Sequence, residues 1–352
     1  MHVPVARVVT ARLDSQALRH NLAYIRSLAP ASNVMAVIKA NAYGHGMLEV
    51  AQVIDAEALA VARMDEAVTL REAGELRPVL VLEGCQRAAE MTLAARHELQ
   101  VMVHTPEQAN WFGAEVPVEA WLKVETGMHR LGLTVEHFRS LALDPPAGMQ
   151  IVGLVSHLAF ANEADDPRTE GQLRAFTDAC EGLDLPRSVA NSGAILSAPD
   201  ARLEWVRPGI VLYGVSPFRE ALQELRPVMT LAAPVIAVKQ VAAGETVGYG
   251  GRYRARRDVW VATIAAGYGD GYPATAGNGT PVLIGGKRYG LAGAVSMDMC
   301  CCELGVDPAV KVGDEAVLWG PGLPLEEVAE MNGLNPYVLP AQLTRRVRYE
   351  TL

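Results

Sequence analysis

A lysine that closes an apolar run is the residue with the most chemical promise in this chain. Lys39 follows the run Val-Met-Ala-Val-Ile and precedes Ala40-Asn41-Ala42-Tyr43-Gly44-His45-Gly46, where two glycines permit close backbone approach. Lysine is scarce, occurring only at 39, 123, 239, 287 and 311. Taken alone, a lysine at a strand end is structural more often than catalytic. Two later segments change that reading. Asn191-Ser192-Gly193 and Arg207-Pro208-Gly209-Ile210 offer backbone N–H groups, and Ser192 adds a hydroxyl, of the kind that cradle a phosphate. Each could also be an ordinary turn. An amine able to form an imine, combined with a phosphate cradle, points to a phosphorylated aldehyde cofactor.

That combination requires elements that bring the three segments together. From about residue 14 to 215, short apolar runs alternate with segments of helical period. The runs are Val34 to Lys39, Ala58 to Ala62, Pro78 to Leu82, Leu99 to His104, Ala120 to Glu125, Ile151 to His157, Arg187 to Asn191 and Trp205 to Tyr213. Between them lie helical patterns such as Ser15 to Leu28, capped by Asp14, and Glu170 to Leu183, with Leu173, Phe176 and Cys180 on one face. About eight βα units in about 200 residues is the requirement of a (β/α)₈ barrel, whose chemistry gathers at the carboxyl ends of the strands. Lys39 is at such an end, and the two phosphate-type segments fall at the seventh and eighth strands. An open doubly wound sheet is the other possibility, but no G-x-G-x-x-G follows the first strand.

After Leu231 the texture changes to β-branched runs broken by glycine pairs: Pro234 to Val241, Val259 to Ala265, Thr280 to Ile284 and Ala316 to Trp319, with turns at Gly250-Gly251 and Gly285-Gly286. The expected fold class is therefore α/β, a TIM-type (β/α)₈ barrel over residues 11–229 followed by a mainly β domain over 230–352. The first residues, 1–10, also read as a strand, expected to pack on that second domain.

The 352-residue length favours two domains, and 50% hydrophobic with 20% charged residues is a globular composition. A net charge of −9 argues against polyanionic partners, so neither nucleic acid nor an anionic membrane surface is expected. No apolar stretch of about 18 residues or basic-then-apolar leader occurs, and the chain is expected to be cytoplasmic. Five cysteines, Cys85, Cys180 and the consecutive Cys300, Cys301 and Cys302, lack metal-ligand spacing and read as small reduced apolar residues. No metal is expected.

With these residues in order, the chain resembles the alanine racemases, pyridoxal 5'-phosphate (PLP) enzymes built of a barrel and a β domain. The resemblance rests on Val37-Ile38-Lys39-Ala40-Asn41-Ala42-Tyr43-Gly44-His45-Gly46, Thr126-Gly127-Met128-His129-Arg130-Leu131-Gly132, Ser156-His157, Asn191-Ser192, Arg207-Pro208-Gly209-Ile210, Gly267-Tyr268-Gly269-Asp270-Gly271-Tyr272-Pro273, Ser296-Met297-Asp298 and Tyr337. It covers nearly the whole length.

The resemblance implies interconversion of L-alanine and D-alanine by two bases, Lys39 on one face of the substrate and Tyr268 on the other, with a role in D-alanine supply for peptidoglycan. Tyr268 is expected to come from the β domain of a second subunit, making the active sites shared in a homodimer. A tyrosine needs cationic or hydrogen-bonding neighbours to serve as a base near neutral pH. The family supplies a histidine and then an arginine, here His157 and Arg207. Arg207 also matches the arginine facing the pyridine nitrogen. Arg130 matches the residue meeting the cofactor's phenolic oxygen and the substrate carboxylate. Lys123 matches a lysine that is often carbamylated and steadies that arginine, though it could instead pair with Glu125. Tyr43, Ser192, Gly209, Ile210 and Tyr337 match the phosphate-binding set. Met297 matches a residue reaching across the dimer toward substrate, and Asp270 and Asp298 read as loop supports.

Rival readings are a broad-specificity or serine racemase on the same scaffold, a PLP-dependent decarboxylase, and a PLP-binding regulator without turnover. Arg207 and Tyr268 argue against the decarboxylase, which would place an acid at the ring nitrogen. The β domain bearing Tyr268 argues against the regulator, whose relatives consist of a barrel alone.

Overall fold

A computed structural model describes residues 9–163, 165–218 and 220–351. The chain divides into two compact units, one of residues 19–43 and 47–212, the other of residues 1–18, 44–46 and 213–352.

The strand β1 (Thr10–Leu13) opens the described chain. A helix, Ser15–Leu28, comes next, started by Asp14, whose Oδ1 accepts the N–H groups of Gln16 at 2.8 Å and Ala17 at 2.9 Å. Its Leu18, Leu22 and Ile25 are buried at the spacing that the sequence shows.

The first unit is a closed barrel of eight parallel strands: β2 (Asn33–Val37), β3 (Ala58–Val61), β4 (Val79–Val81), β5 (Gln100–Val103), β6 (Val118–Lys123), β7 (Met149–Val155), β8 (Arg187–Ser188) and β9 (Trp205–Val206). Its interior combines Met35, Val37, Leu80, Met102, Trp121 and Val155 with the small Ala58 and Ala60. Gly153 is required there, because a Cβ on it would lie 2.3 Å from the Trp121 ring. Trp121 donates its indole N–H to Gln100 Oε1 at 2.9 Å, so the bulkiest interior side chain has its polar atom satisfied.

Two expected strands end early, and one helix is displaced. The runs Arg187 to Asn191 and Trp205 to Tyr213 keep only two residues each in the ladder. Beyond them the backbone turns toward other partners: Arg207 N–H donates to Ala190 O, Pro208 O accepts from Val37 N–H, and residues Ile210–Tyr213 form a 3₁₀ turn. The helix expected over Glu170 to Leu183 spans Pro167–Ala179, with Asp166 as its cap and Pro167 in the first turn.

The second unit is built on an eight-stranded sheet ordered β13-β16-β15-β14-β17-β10-β1-β18. Its members are β10 (Met229–Val241), β13 (Val259–Ile264), β14 (Pro281–Ile284), β15 (Lys287–Leu291), β16 (Cys300–Gly305), β17 (Glu315–Trp319) and β18 (Arg348–Thr351), with β1. A separate ribbon joins β11 (Thr246–Val247) to β12 (Tyr253–Arg254). Register shifts within β10 let it pair with β17 and β1 through its first half and β13 through its second. The strand expected over residues 1–10 lies mostly outside the described residues. The described strand is Thr10–Leu13, between β10 and β18.

The three consecutive cysteines alternate along β16, with Cys300 and Cys302 buried and Cys301 half-buried; all five cysteines are free thiols. Burial pushes the thiols of Cys85 and Cys302 up to about 12, so they are inert small apolar groups, as expected. Among the described residues no helix is long and apolar enough to cross a membrane, and no cluster could hold a metal ion.

Candidate active site

Lys39 stands two residues beyond the end of β2 and begins a turn, Lys39–Tyr43, of unusual hand. Ala40, Asn41, Ala42 and Tyr43 have φ of 52°, 54°, 54° and 53°, four successive L-residues in the left-handed region. Each costs about 1–2 kcal/mol there, so hydrogen bonds must hold the turn. Gly44 is next, at φ 82°, where a Cβ would meet Pro340 O at 1.9 Å, and its carbonyl accepts the Tyr349 hydroxyl at 2.7 Å. Burial pushes the Lys39 amine below its usual value and the charge of Arg130 adds to this, while Glu83 and Glu66 oppose it.

The loops after β8 and β9 meet. Ser192 opens a short helix, Ser192–Ser197, whose cap Asn191 accepts the Ala194 N–H at 3.1 Å. Ser192 Oγ accepts the Gly209 N–H at 2.9 Å, which joins the two segments singled out as a phosphate cradle. Gly209 also faces Tyr43, since a Cβ there would lie 2.5 Å from the tyrosine hydroxyl. Ile210, next in the chain, is buried. Thus Tyr43, Ser192 and Gly209 come together.

Arg207 is buried at 5% exposure. It donates from Nη1 to Ser188 Oγ and from Nη2 to Ser156 O, each at 2.6 Å. Burial pushes its guanidinium down to about 10, still protonated at neutral pH. Ser156 is in turn held by Val124 O at 2.9 Å and Thr126 Oγ1 at 2.7 Å. His157, just past β7, has its Nε2 3.5 Å from Asn191 Nδ2. Burial, then the charges of Arg207, Lys123, Arg130 and Lys39, hold its imidazole well below the usual range, so it is neutral at pH 7.

Lys123 is the last residue of β6 and is buried. Burial, then Arg207 and Arg130, push its amine down to about 8. Glu125 does not neutralise it by an ion pair. Its Oε1 accepts the N–H groups of Gly127 at 2.5 Å and Met128 at 2.7 Å, which commits it to the turn leading to the exposed Arg130. Lys39, Lys123, Arg130 and Arg207 thus share one barrel mouth, and among the described residues none of the four forms an ion pair with a carboxylate.

In the second unit, Tyr268 begins a 3₁₀ turn, Tyr268–Asp270, beside the loop that carries Met297. Tyr268 N–H donates to Ser296 O at 3.1 Å and Gly269 N–H to Met297 O at 2.8 Å. Both side chains are open to solvent, Tyr268 at 44% and Met297 at 53%. Asp270 and Asp298 brace these loops through Arg346, a residue to which no motif in the sequence points. Its Nε lies 3.1 Å from Asp270 Oδ1 and its Nη1 donates to Asp298 Oδ1 at 2.8 Å. Only the adjacent basic run Arg345-Arg346-Val347-Arg348 could have drawn attention to it. Tyr337 precedes the helix Val338–Ala341 in the same unit, with its N–H on Asn335 Oδ1 at 3.0 Å.

Comparison with known proteins finds relatives that cover both units. The family described as "Alanine racemase, N-terminal domain" matches residues 13–217, and "Alanine racemase, C-terminal domain" matches 228–351. An alanine racemase of Vibrio atlanticus is 46% identical over 98% of this chain and 99% of its own. The crystal structure of a biosynthetic alanine racemase from Pseudomonas aeruginosa superposes with a TM-score of 0.93 at 41% identity, covering 99% of this chain and all of that one. An alanine racemase from Bartonella henselae, whose structure has covalently bound pyridoxal phosphate, is 29% identical with a TM-score of 0.91, over 99% of this chain and all of that one.

Proposed function

The chain belongs to the alanine racemase family, and we propose that it exercises this isomerase activity on L-alanine and D-alanine with pyridoxal 5'-phosphate linked to Lys39. The observation that carries the cofactor is the surplus of positive charge at the barrel mouth. Among the described residues, Lys39, Lys123, Arg130 and Arg207 form no ion pair with a carboxylate there, beside the loops that meet at Ser192 and Gly209. A phosphorylated ligand and an amino-acid carboxylate are anions of the kind such a site would bind.

When bound, the cofactor would supply an electron sink for the substrate α-carbon. The residues of the chain then divide the remaining work. Tyr43, Ser192, Gly209, Ile210 and Tyr337 would hold the phosphate. Arg207 can only donate, so toward a ring nitrogen it offers a hydrogen bond and takes no proton. Arg130, steadied by Lys123 in its carbamylated form, would hold the substrate carboxylate. A lysine depressed to about 8 carries a larger neutral fraction at neutral pH than an ordinary one, which supports its conversion to a carbamate. Lys39 and Tyr268 would each move a proton at the α-carbon, one from each face. A neutral His157 would be able to accept a hydrogen bond from Tyr268.

We take 11–229 as the cofactor-binding half and 230–352 as the half bearing Tyr268 and Met297. The exposure of those two side chains supports a homodimer in which each reaches the partner's site. Relatives described as biosynthetic support a role in D-alanine supply, which we take to serve peptidoglycan from a cytoplasmic enzyme. The direct test is chiral analysis after incubation with L-alanine, with L-serine alongside. D-alanine must appear, together with a visible absorption band of the yellow protein. An inert yellow protein would overturn the racemase reading, and faster conversion of serine would move the substrate.

A further inference from the structure

We propose that Glu66 is a positioning residue, a carboxylate clamp that holds the left-handed turn between Lys39 and Tyr43 and so sets the grip on the cofactor; this rests on the roles proposed for those two residues. The clamp spans two neighbouring strand ends. Glu66 Oε1 accepts the Ala40 N–H at 2.6 Å, inside the turn that succeeds β2. Oε2 accepts the N–H groups of Ala62 at 2.9 Å and Arg63 at 3.2 Å, where the chain leaves β3 and enters the helix Met64–Glu72. One anion thereby gathers three backbone donors from two loops, and β2 and β3 are paired in parallel directly beneath. Hydrogen bonds to an ionised acceptor are the strong kind.

The turn also has local hydrogen bonds of its own. Ala40 and Ala42 carry no polar side-chain atom, while Ala42 N–H reaches Ile38 O at 2.8 Å and Asn41 Oδ1 accepts the Met47 N–H at 2.9 Å. The Ala42 bond spans Ala40, where the left-handed course begins, but the Ala40 N–H itself is held by Glu66. Lys39 stands at one end of this turn and Tyr43, with its hydroxyl against Gly209, at the other. Relaxing the turn toward the favoured right-handed region would move the amine and the hydroxyl apart while leaving each residue intact. Glu66 also faces Lys39 electrostatically, favouring its charged form. Glu66 is assigned no contact with substrate or reacting atom; it acts through the backbone.

The test compares Glu66→Ala, Glu66→Gln and the double variant Glu66→Ala/Ala40→Gly with the parent. Each protein is stripped of cofactor and titrated with pyridoxal 5'-phosphate, and thermal midpoints are recorded in parallel. Glu66→Ala should weaken cofactor binding about ten-fold or more, with the borohydride-trapped link still on Lys39. Adding Ala40→Gly should recover most of that loss, because glycine enters the left-handed region without a Cβ clash. The fall in thermal midpoint caused by the lost contacts at the start of the helix should remain. Cofactor affinity within about two-fold of the parent, or no recovery on adding Ala40→Gly, overturns the proposal and leaves Glu66 as a helix cap. If Glu66→Ala fails to fold, Glu66→Gln carries the same comparison, since its amide retains one acceptor oxygen; its loss must also be recovered by Ala40→Gly. Amide hydrogen exchange over residues 40–46 without cofactor separates this proposal from the cofactor reading. Exchange faster by about ten-fold in Glu66→Ala is expected even if no cofactor links to Lys39, and unchanged exchange overturns the clamp.

Discussion

Lys39, half-buried, and Lys123, buried, are both amines in one barrel mouth, and their different positions give them different expected behaviour. Lys39 stands just past β2 at the start of the turn leading to Tyr43, so Lys39→Ala should abolish the borohydride-trappable link to pyridoxal 5'-phosphate, read by mass spectrometry of the reduced protein. Recovery of the label on Lys123 or Lys239 would reassign the site. Lys123 is pushed down to about 8 in the fold, from a value above 10 in an unfolded chain. Between those values the unfolded chain holds more protons, so stability rises with pH through that window, and the full cost of the buried charge is present below it. Lys123→Met should therefore stabilise the cofactor-free protein by on the order of 2 kcal/mol at pH 7 in bicarbonate-free buffer, with an advantage that shrinks toward pH 10. Denaturant titrations at several pH values measure it; an advantage independent of pH would mean that Lys123 is not the depressed group.

The elements that matter most are the shortest. β8 and β9 contribute two residues each, and the loops leaving them do the positioning: Arg207 on Ser156 and Ser188, and Gly209 between Ser192 and Tyr43. A longer pair of strands would commit these backbone groups to the ladder. Gly209→Ala tests the closeness of that packing, because its methyl would overlap the Tyr43 hydroxyl, the far end of a side chain that can swing away. The fold should survive, with a thermal midpoint close to the parent's, while affinity for pyridoxal 5'-phosphate falls about ten-fold through displacement of Tyr43. Unchanged affinity would remove Tyr43 from the phosphate-binding set.

At the scale of the whole molecule, the proposed shared site predicts complementation. Lys39→Ala and Tyr268→Phe, each inactive alone, should form a hybrid dimer with one site containing both bases and one containing neither. Random reassociation makes about half the dimers hybrids, so about a quarter of the parent activity should return. Complete failure, with reassociation confirmed, would place both bases on one chain. The exposure of Tyr268 and Met297, held on loops tied through Asp270, Asp298 and Arg346, is what a residue serving a neighbour's site requires.

Much of this was legible in the sequence, because motif and period are local properties. Alternation of apolar runs with helical segments arises from the two side-chain periodicities, so eight strands and a later β-rich region could be read without contacts. Lys39 stood out because it closes such a run, and the motifs surrounding Arg130, Ser192 and Tyr268 identified a family whose membership the whole-length similarity supports. The left-handed turn, by contrast, left no mark, since Ala40-Asn41-Ala42-Tyr43 has ordinary helical composition and its hand depends on hydrogen bonds to residues elsewhere. Arg207 meets Ser156 and Ser188 from 51 and 19 residues away, Arg346 meets Asp298 from 48, and Glu66 meets Ala40 from 26. The depression of Lys123 likewise required burial and neighbouring cations that no spacing reveals. By itself the sequence determined which groups are available and the elements that carry them. Tertiary structure alone decided their partners, charge states and backbone strain, because those depend on distance in space and exclusion of water, which are properties of the packed chain.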